Sequence, residues 1–363
     1  MSVIDEDSFD VEEGPSSCTS PAPLSPSCER HPELWFSDGS VVLRAQNIHF
    51  RVHKTQMARH SGFFRDLFSL PQPPIIEETV EGCPVVDLYD DPTDLANLLV
   101  AIYDGLTLGN NDPEDFHVTS GILRLATKYA IDKLRDRALA HLTIAWPTTL
   151  EGWDAREEAA REHEFDTGQP LYPSPIAVIN LAREINAPSL LPAAFYDLSR
   201  YSFAQLFDPP PLSPPLSRAA SPPPTSASLS IRDLQRLALG KEAASLAVSA
   251  LIASLVRGPG AAHARKPSFP PAQLATTHHQ HNQVCATPGA CHREFAELGT
   301  LATRHYVCER GRGHADPLFV ADELAALLGE CGPCSRSLDA WAQRERARLW
   351  RALPAWFRVD GEL

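Results

Sequence analysis

Positive charge is scarce in this chain of 363 residues, where 32 Lys and Arg stand against 46 Asp and Glu, for a formal net charge of -14. A surface of this kind repels a phosphate backbone unless its basic residues gather on one face. The sequence also shows no basic helix and no paired zinc-finger spacing. Direct binding to nucleic acid or to an anionic membrane is therefore a poor hypothesis.

Membrane and targeting signals are absent by inspection as well. We find no run of 18 apolar residues, and the first residues, MSVIDEDSFDVEEG, are acidic rather than basic and then apolar. These absences predict an intracellular protein, in the cytoplasm or the nucleus. In such a reducing compartment the eight cysteines are expected to be free thiols or metal ligands rather than disulfides.

Signatures of common enzymes are missing too. The chain has no G-x-S-x-G elbow, no G-x-x-x-x-G-K-[ST] phosphate loop and no H-E-x-x-H metal motif. These absences accumulate against catalysis, and we expect a protein that is not an enzyme and carries no catalytic or cofactor-binding residues.

Composition divides the chain into five segments. Residues 1–30 combine an acidic run with many Ser and Pro residues and one Gly, which predicts a disordered tail, and residues 208–230 form a linker rich in Pro and Ser. Residues 31–145 have the texture of a folded domain. A helical extension is expected at 146–207, with a charged and turn-rich stretch at 150–168, and a helical region containing cysteines at 231–363.

Within residues 31–145 the pattern predicts an α+β domain. Two β-rich runs, 40–43 and 48–52, flank a polar break and indicate a hairpin. Ser61 is placed to cap a short helix, and a third strand is expected at 85–89. Apolar residues at helical spacing then predict three helices and a buried set: Phe50, Phe64, Phe68, Leu95, Leu98, Leu99, Ile102, Leu125 and Tyr129.

Three motifs in this domain carry a resemblance to a known family. The stretches FSDGSVVL (36–43), FRVHK (50–54) and SGFFRDLF (61–68) resemble, in this order, the conserved pattern of the BTB/POZ domain, and LRLATKY (123–129) looks like its helix near the end. The resemblance covers residues 31–145. The wording GCPVV (82–86) and LWRALP (349–354) is similar to the expanded BTB proteins of mushroom-forming fungi.

This resemblance implies a fold and a function. The fold is a short β-sheet flanked by helices, followed here by a mostly α-helical region. The implied function is a non-catalytic protein-interaction module that forms a homodimer, serves as an adaptor for a cullin-type ubiquitin ligase, or acts as a transcription-regulatory scaffold through a partner. Cullin-binding members carry a hydrophobic-x-Glu motif, which either Ile75-Ile76-Glu77 or Ile76-Glu77-Glu78 matches, so Ile76 and Glu77 are the candidate contacts. Asp38 and Lys54 are further interaction candidates, with Lys54 as the candidate partner of Asp38.

The cysteines near the C-terminus allow three interpretations. Cys331 and Cys334 stand in a C-G-P-C sequence, which is typical of thiol-disulfide oxidoreductases when it follows a strand of a βαβ unit. Together with Cys285 and Cys291 they also provide four thiols for a tetrahedral structural zinc ion, with His292, His305 and Cys308 as substitute ligands. The third interpretation is that these residues simply pack in the interior.

Overall fold

The computed structural model describes residues 29–71, 78–207, 228–257, 288–309, 316–326 and 331–362. The chain divides into two compact units, one made of residues 1–54 and 71–92 and the other of residues 55–70 and 93–363. Every strand of the described residues lies in the first unit, and almost all helical residues lie in the second. An α+β fold class is therefore confirmed for the N-terminal domain, with a helical region after it.

The first unit is a mixed sheet in the order β1-β3-β2-β5-β4. Its strands are listed here in chain order: β1 (Glu29–Trp35), β2 (Val41–Ala45), β3 (Ile48–Val52), β4 (Thr79–Val80) and β5 (Cys83–Leu88). Strands β2 and β3 form the predicted antiparallel hairpin, whereas β1 pairs with β3 and β5 pairs with β2 in parallel. Residues 29 and 30, which composition assigned to the acidic tail, are part of β1.

One side of this sheet is apolar and the other is crossed by ion pairs. Val41, Leu43 and Phe50 are fully buried. Arg44 on β2 is in register with Asp87 on β5, and its guanidinium donates to Asp87 and, at 2.8 Å, to Glu78. These carboxylates, first through the hydrogen bond to Asp87, raise the pKa of Arg44 further above its already high value. The opposite charges of Arg44 and Asp87 on neighbouring strands add to the stability of this pairing.

Five helices complete the residues predicted as one domain: α1 (Lys54–His60), α2 (Gly62–Ser69), α3 (Pro92–Tyr103), α4 (Pro113–Lys128) and α5 (Asp132–Ala145). Ser61 caps α2 as predicted, because its Oγ accepts a hydrogen bond from the Phe64 N–H at 3.0 Å. The predicted core residues are buried except Phe68, which is half-buried and stacks on Phe64 with ring centroids 5.8 Å apart. Phe68 lies in the last turn of α2, just before its exposed end.

The remaining helices follow residue 146: α6 (Leu150–Thr167), α7 (Pro175–Glu184), α8 (Leu191–Ser199), α9 (Phe203–Phe207), α10 (Ile231–Val256), α11 (Pro288–Ala302), α12 (Pro317–Ala326) and α13 (Gly332–Trp356). The prediction of a turn-rich stretch at 150–168 is wrong, since these residues form α6. The many charged residues of α6 obscured the apolar pattern of a helix, because only Trp153 and Arg156 are buried in it.

The expectation that no segment is apolar and long enough to cross a membrane is wrong for helix α10. Ile231–Val256 is 26 residues long, and an 18-residue window within it has a mean hydropathy of 1.5, so its length and composition would allow it to cross a membrane. The structure packs one face of it instead, with Leu237, Val248 and Leu251 buried, and Lys241 is buried in the same helix. A core helix of a folded region meets the same criteria of length and composition.

The helices on the two sides of the predicted linker 208–230 share one core. The Tyr196 hydroxyl on α8 donates to Asp316 at 2.6 Å, and the Phe195 ring stacks on Phe357 with centroids 5.3 Å apart. The Lys241 ammonium donates to the Ser199 carbonyl at 2.7 Å. Residues 146–207 therefore depend for their packing on residues 231–362.

Candidate interaction surface and cysteine cluster

The predicted residues Asp38 and Lys54 lie at the two ends of the β2–β3 hairpin, Asp38 in the turn before β2 and Lys54 at the start of α1 after β3. Gly39 N–H donates to the Phe36 carbonyl at 3.0 Å, and a Cβ at Gly39 would lie 2.7 Å from Arg51 Cγ, so this turn needs glycine. The Asp38 carboxylate pairs with His53 Nε2 at 3.1 Å, and this hydrogen bond lowers the pKa of Asp38. The Lys54 N–H donates to Ser40 Oγ at 3.0 Å. The partner of Asp38 seen here is His53, where the sequence suggested Lys54.

A second candidate surface lies along α2. Phe64 faces inward, while Phe63 is 42% exposed and Leu70, the residue after the helix, is 59% exposed. Ile76 and Glu77, the candidate cullin contacts, come six and seven residues after Leu70 in the sequence and lie outside the described residues. We call Phe63 and Leu70 the α2 surface. Phe63 lies in the first turn of α2 and Leu70 directly follows its last residue, so the two exposed apolar side chains lie at opposite ends of the helix. Large exposed apolar side chains of this kind can serve as anchors in protein interfaces.

Among the described strands β1 lies at one edge of the sheet, and this edge is poorly suited to pairing. Pro32 has no N–H to donate, and Glu29, Arg30 and Glu33 place charge along the strand. Proteins use both devices to prevent one sheet edge from adding to another. The edge at β1 is therefore a weaker candidate for association than the α2 surface.

A groove of about 360 Å³ lies between α4 and the segment before α7. Phe116, His117 and Arg124 line it from α4, and Tyr172 and Pro173 line it from the other side. Arg124 is held at 2.8 Å by Glu184 on α7. The groove thus joins the last part of the predicted domain to the helical extension in one continuous surface.

Three of the four predicted zinc ligands come together in the structure. The Sγ atoms of Cys291, Cys331 and Cys334 all lie within 4.8 Å of one another. Cys291 is 4% exposed and the other two are half-buried, and none of the three forms a disulfide. Cys285 lies outside the described residues.

The C-G-P-C sequence begins a helix but does not follow a strand. Cys331 is the N-cap of α13 and Cys334 lies in its first turn. The preceding described element is the helix α12, and the strands of the described residues all lie between Glu29 and Leu88. This context differs from the βαβ unit in which the motif performs thiol-disulfide exchange.

A buried charge cluster in the helical region was missed by the sequence analysis. Arg156 on α6 is 5% exposed, lies over the Trp153 ring with 4.7 Å to its centroid, and donates to Asp197 at 2.6 Å. Arg200 donates to Glu157 at 2.9 Å in the same cluster. Each buried guanidinium has a carboxylate partner, which is the condition for burying charge at tolerable cost. The local sequence of residues 150–168 does not predict these ion pairs, because these partners of Arg156 and Glu157 are far away in the chain.

Comparison with known proteins gives one family. Residues 35–143 match the model of the BTB/POZ domain. The match covers the strands from the end of β1 onward and the helices up to α5, and so includes Asp38, Lys54 and the α2 surface. A search of curated proteins finds no match.

Proposed function

Because residues 35–143 are a BTB/POZ domain, a protein-interaction module, we propose that the chain is a non-catalytic adaptor that binds a cullin-type ubiquitin ligase through the α2 surface and the residues that follow it. The family match carries this proposal. It assigns the domain to a class that acts through its surfaces, and the exposed side chains of Phe63 and Leu70 support the choice of the α2 surface.

The α2 surface supports the choice of a helical protein partner. Phe63 and Leu70 already expose apolar area, and burying a side chain of this size fully is worth about 1.5 to 3 kcal/mol. Ile76 and Glu77 follow Leu70 by six and seven residues in the sequence. In this arrangement the Ile side chain would fill an apolar pocket of the partner and the Glu side chain would make a polar contact at the rim.

Self-association is the competing use of the same domain, since BTB domains mediate dimerisation as well as binding to other proteins. The charged residues of β1 and its Pro32 disfavour pairing through that sheet edge. A homodimer of this chain would therefore use its helices, and it would compete with the cullin partner wherever the two surfaces overlap.

The test is isothermal titration calorimetry of the full chain against a purified cullin N-terminal region. We use the full chain because residues 146–207 pack on residues 231–362. Leu70→Ser should weaken binding by about tenfold or more, as expected for an interface anchor. Ile76→Ala combined with Glu77→Ala should weaken it as much or more.

The matched control is Ile144→Ser on α5, since Ile144 is 64% exposed and thus as accessible as Leu70. This control should bind the cullin with unchanged affinity. Absence of binding by the wild-type chain, or an equal loss in the control, would contradict the proposal. Sedimentation of the same samples shows whether self-association takes the place of cullin binding.

A further inference from the structure

We propose that Cys291, Cys331 and Cys334 bind a zinc ion that joins the start of α11 to the start of α13. Their three Sγ atoms lie within 4.8 Å of one another. Around tetrahedral zinc, with Zn–S bonds of about 2.3 Å, neighbouring sulfur atoms are about 3.8 Å apart. The three thiols therefore already have nearly the spacing that the metal requires.

The number and origin of the thiols favour metal binding over a disulfide or simple packing. A disulfide would use two sulfur atoms and leave the third beside it. Cys331 and Cys334 have the C-x-x-C spacing common in zinc sites, and Cys291 reaches them from a different helix and is almost fully buried. Soft thiolate ligands select zinc over the hard cations calcium and magnesium.

The helix ends also favour the charged form of these ligands. Cys331 is the N-cap of α13, Cys334 lies in the first turn of that helix, and Cys291 lies in the first turn of α11. The N-terminal end of a helix carries partial positive charge and stabilises a thiolate. Zinc binding displaces the three thiol protons without any change of oxidation state, so affinity falls as the pH falls. Water or another donor of the chain fills the fourth position.

A zinc ion at this place would hold two helices that both pack on α10. A Cβ at Gly299 on α11 would lie only 2.1 Å from Val256 Cγ2, so α11 approaches α10 closely there. On α13, the Trp341 indole N–H donates to Ser254 Oγ at 3.1 Å. The metal would fix the ends of both helices and so stabilise the C-terminal region. This role is independent of what the BTB/POZ domain binds.

The experiment measures metal in the purified full chain, kept reduced and expressed in medium supplemented with zinc. Elemental analysis should give about one zinc per chain, as for a single structural site. Replacement by Co²⁺ should produce thiolate-to-cobalt charge-transfer absorption and the visible bands of tetrahedral cobalt. Cys291→Ser and Cys334→Ser should each lower zinc content or affinity by about tenfold or more.

Cys308→Ser is the control, since Cys308 is an exposed thiol of the same region that is not part of the cluster. It should keep the metal. The proposal is overturned if the reduced wild-type chain holds no zinc and gives no thiolate-to-cobalt band, or if Cys308→Ser loses the metal equally.

A second readout does not depend on the folding of the serine variants. Removing zinc from the wild-type chain with a chelator should lower its thermal unfolding midpoint, and adding Zn²⁺ back should restore it. An unfolding midpoint that does not respond to chelation and to re-addition also overturns the proposal.

Discussion

Replacing Gly240 with alanine should destabilise the helical region, although the same change stabilises most helices. Gly240 lies inside α10, and a Cβ built there would be 1.8 Å from Cε1 of Phe357. Ordinary contacts between carbon atoms are about 3.5 to 4.0 Å. Phe357 is fully buried and stacked on Phe195, itself fully buried, so neither ring can move aside without disturbing the core.

The magnitude follows from two opposing effects. Gly→Ala in a helix interior gains about 1 kcal/mol from helix propensity. Overpacking of a close-packed core costs about 1 to 3 kcal/mol, and we expect the upper end because both rings are confined. The free energy of unfolding of Gly240→Ala should therefore fall by about 2 kcal/mol in total.

The assay is urea unfolding followed by tryptophan fluorescence, because Trp153, Trp341 and Trp350 all lie in this region. Gly361→Ala, with no heavy atom within 4 Å of the added Cβ, is the control and should change little. Phe357→Leu in the Gly240→Ala background should recover stability, with a coupling energy of about 1 kcal/mol. A Gly240→Ala chain as stable as the wild type, or strictly additive effects, would refute the packing described here.

Four further predictions concern the core of the BTB/POZ domain, the pH dependence of stability and the thiols of the C-terminal region. Leu99→Ala should lower the free energy of unfolding by about 2 to 5 kcal/mol, because Leu99 is fully buried, and an unchanged denaturation midpoint would contradict the core assignment. Burial alone would raise the pKa of Asp115, but hydrogen bonds led by His141 hold this pKa below its usual value. The free energy of unfolding should therefore decrease as the pH falls below about 4, and it should decrease less steeply in Asp115→Asn. Burial lowers the pKa of Lys241 to about 8. The unfolded chain keeps this proton to a higher pH than the folded chain, so stability should rise above pH 8 by up to about 1.4 kcal/mol per pH unit, and Lys241→Met should remove the rise. The C-G-P-C motif at 331–334 should not catalyse thiol-dependent reduction of insulin. Insulin reduction by the wild-type chain that is lost when both cysteines are replaced by serine would show that the motif is a redox site.

The sequence predicted those elements whose signals are local. The polar break after β2 shows where the hairpin turns, Ser61 shows where α2 begins, and Pro92 with the leucines after it shows α3. Each signal lies within a few residues of the structure that it predicts.

Long-range pairing was harder to predict. The parallel pairing of β1 with β3 depends on residues far apart in the chain, and β1 itself is mostly exposed and charged. Helix α6 was missed because Arg156 is buried by distant partners such as Asp197 rather than by neighbours in its own sequence. The amino-acid pattern of such a helix resembles an exposed loop until its partners are known.

The candidate sites show the same division. The resemblance located Asp38 and Lys54 in the family pattern, but the pairing of Asp38 with His53 needed the structure. Sequence spacing grouped Cys331 with Cys334, and Cys291 was only one of several soft ligands on offer. The structure places its thiol beside the other two, and Cys285 lies outside the described residues.

The most direct test of the adaptor function is sedimentation velocity of the full chain, alone and mixed with a purified cullin N-terminal region. A complex that sediments faster than the chain alone is expected in the mixture, and Leu70→Ser should reduce the amount of this complex. A chain that stays monomeric at high concentration and forms no complex with the cullin region would contradict both association through the BTB/POZ domain and the cullin assignment.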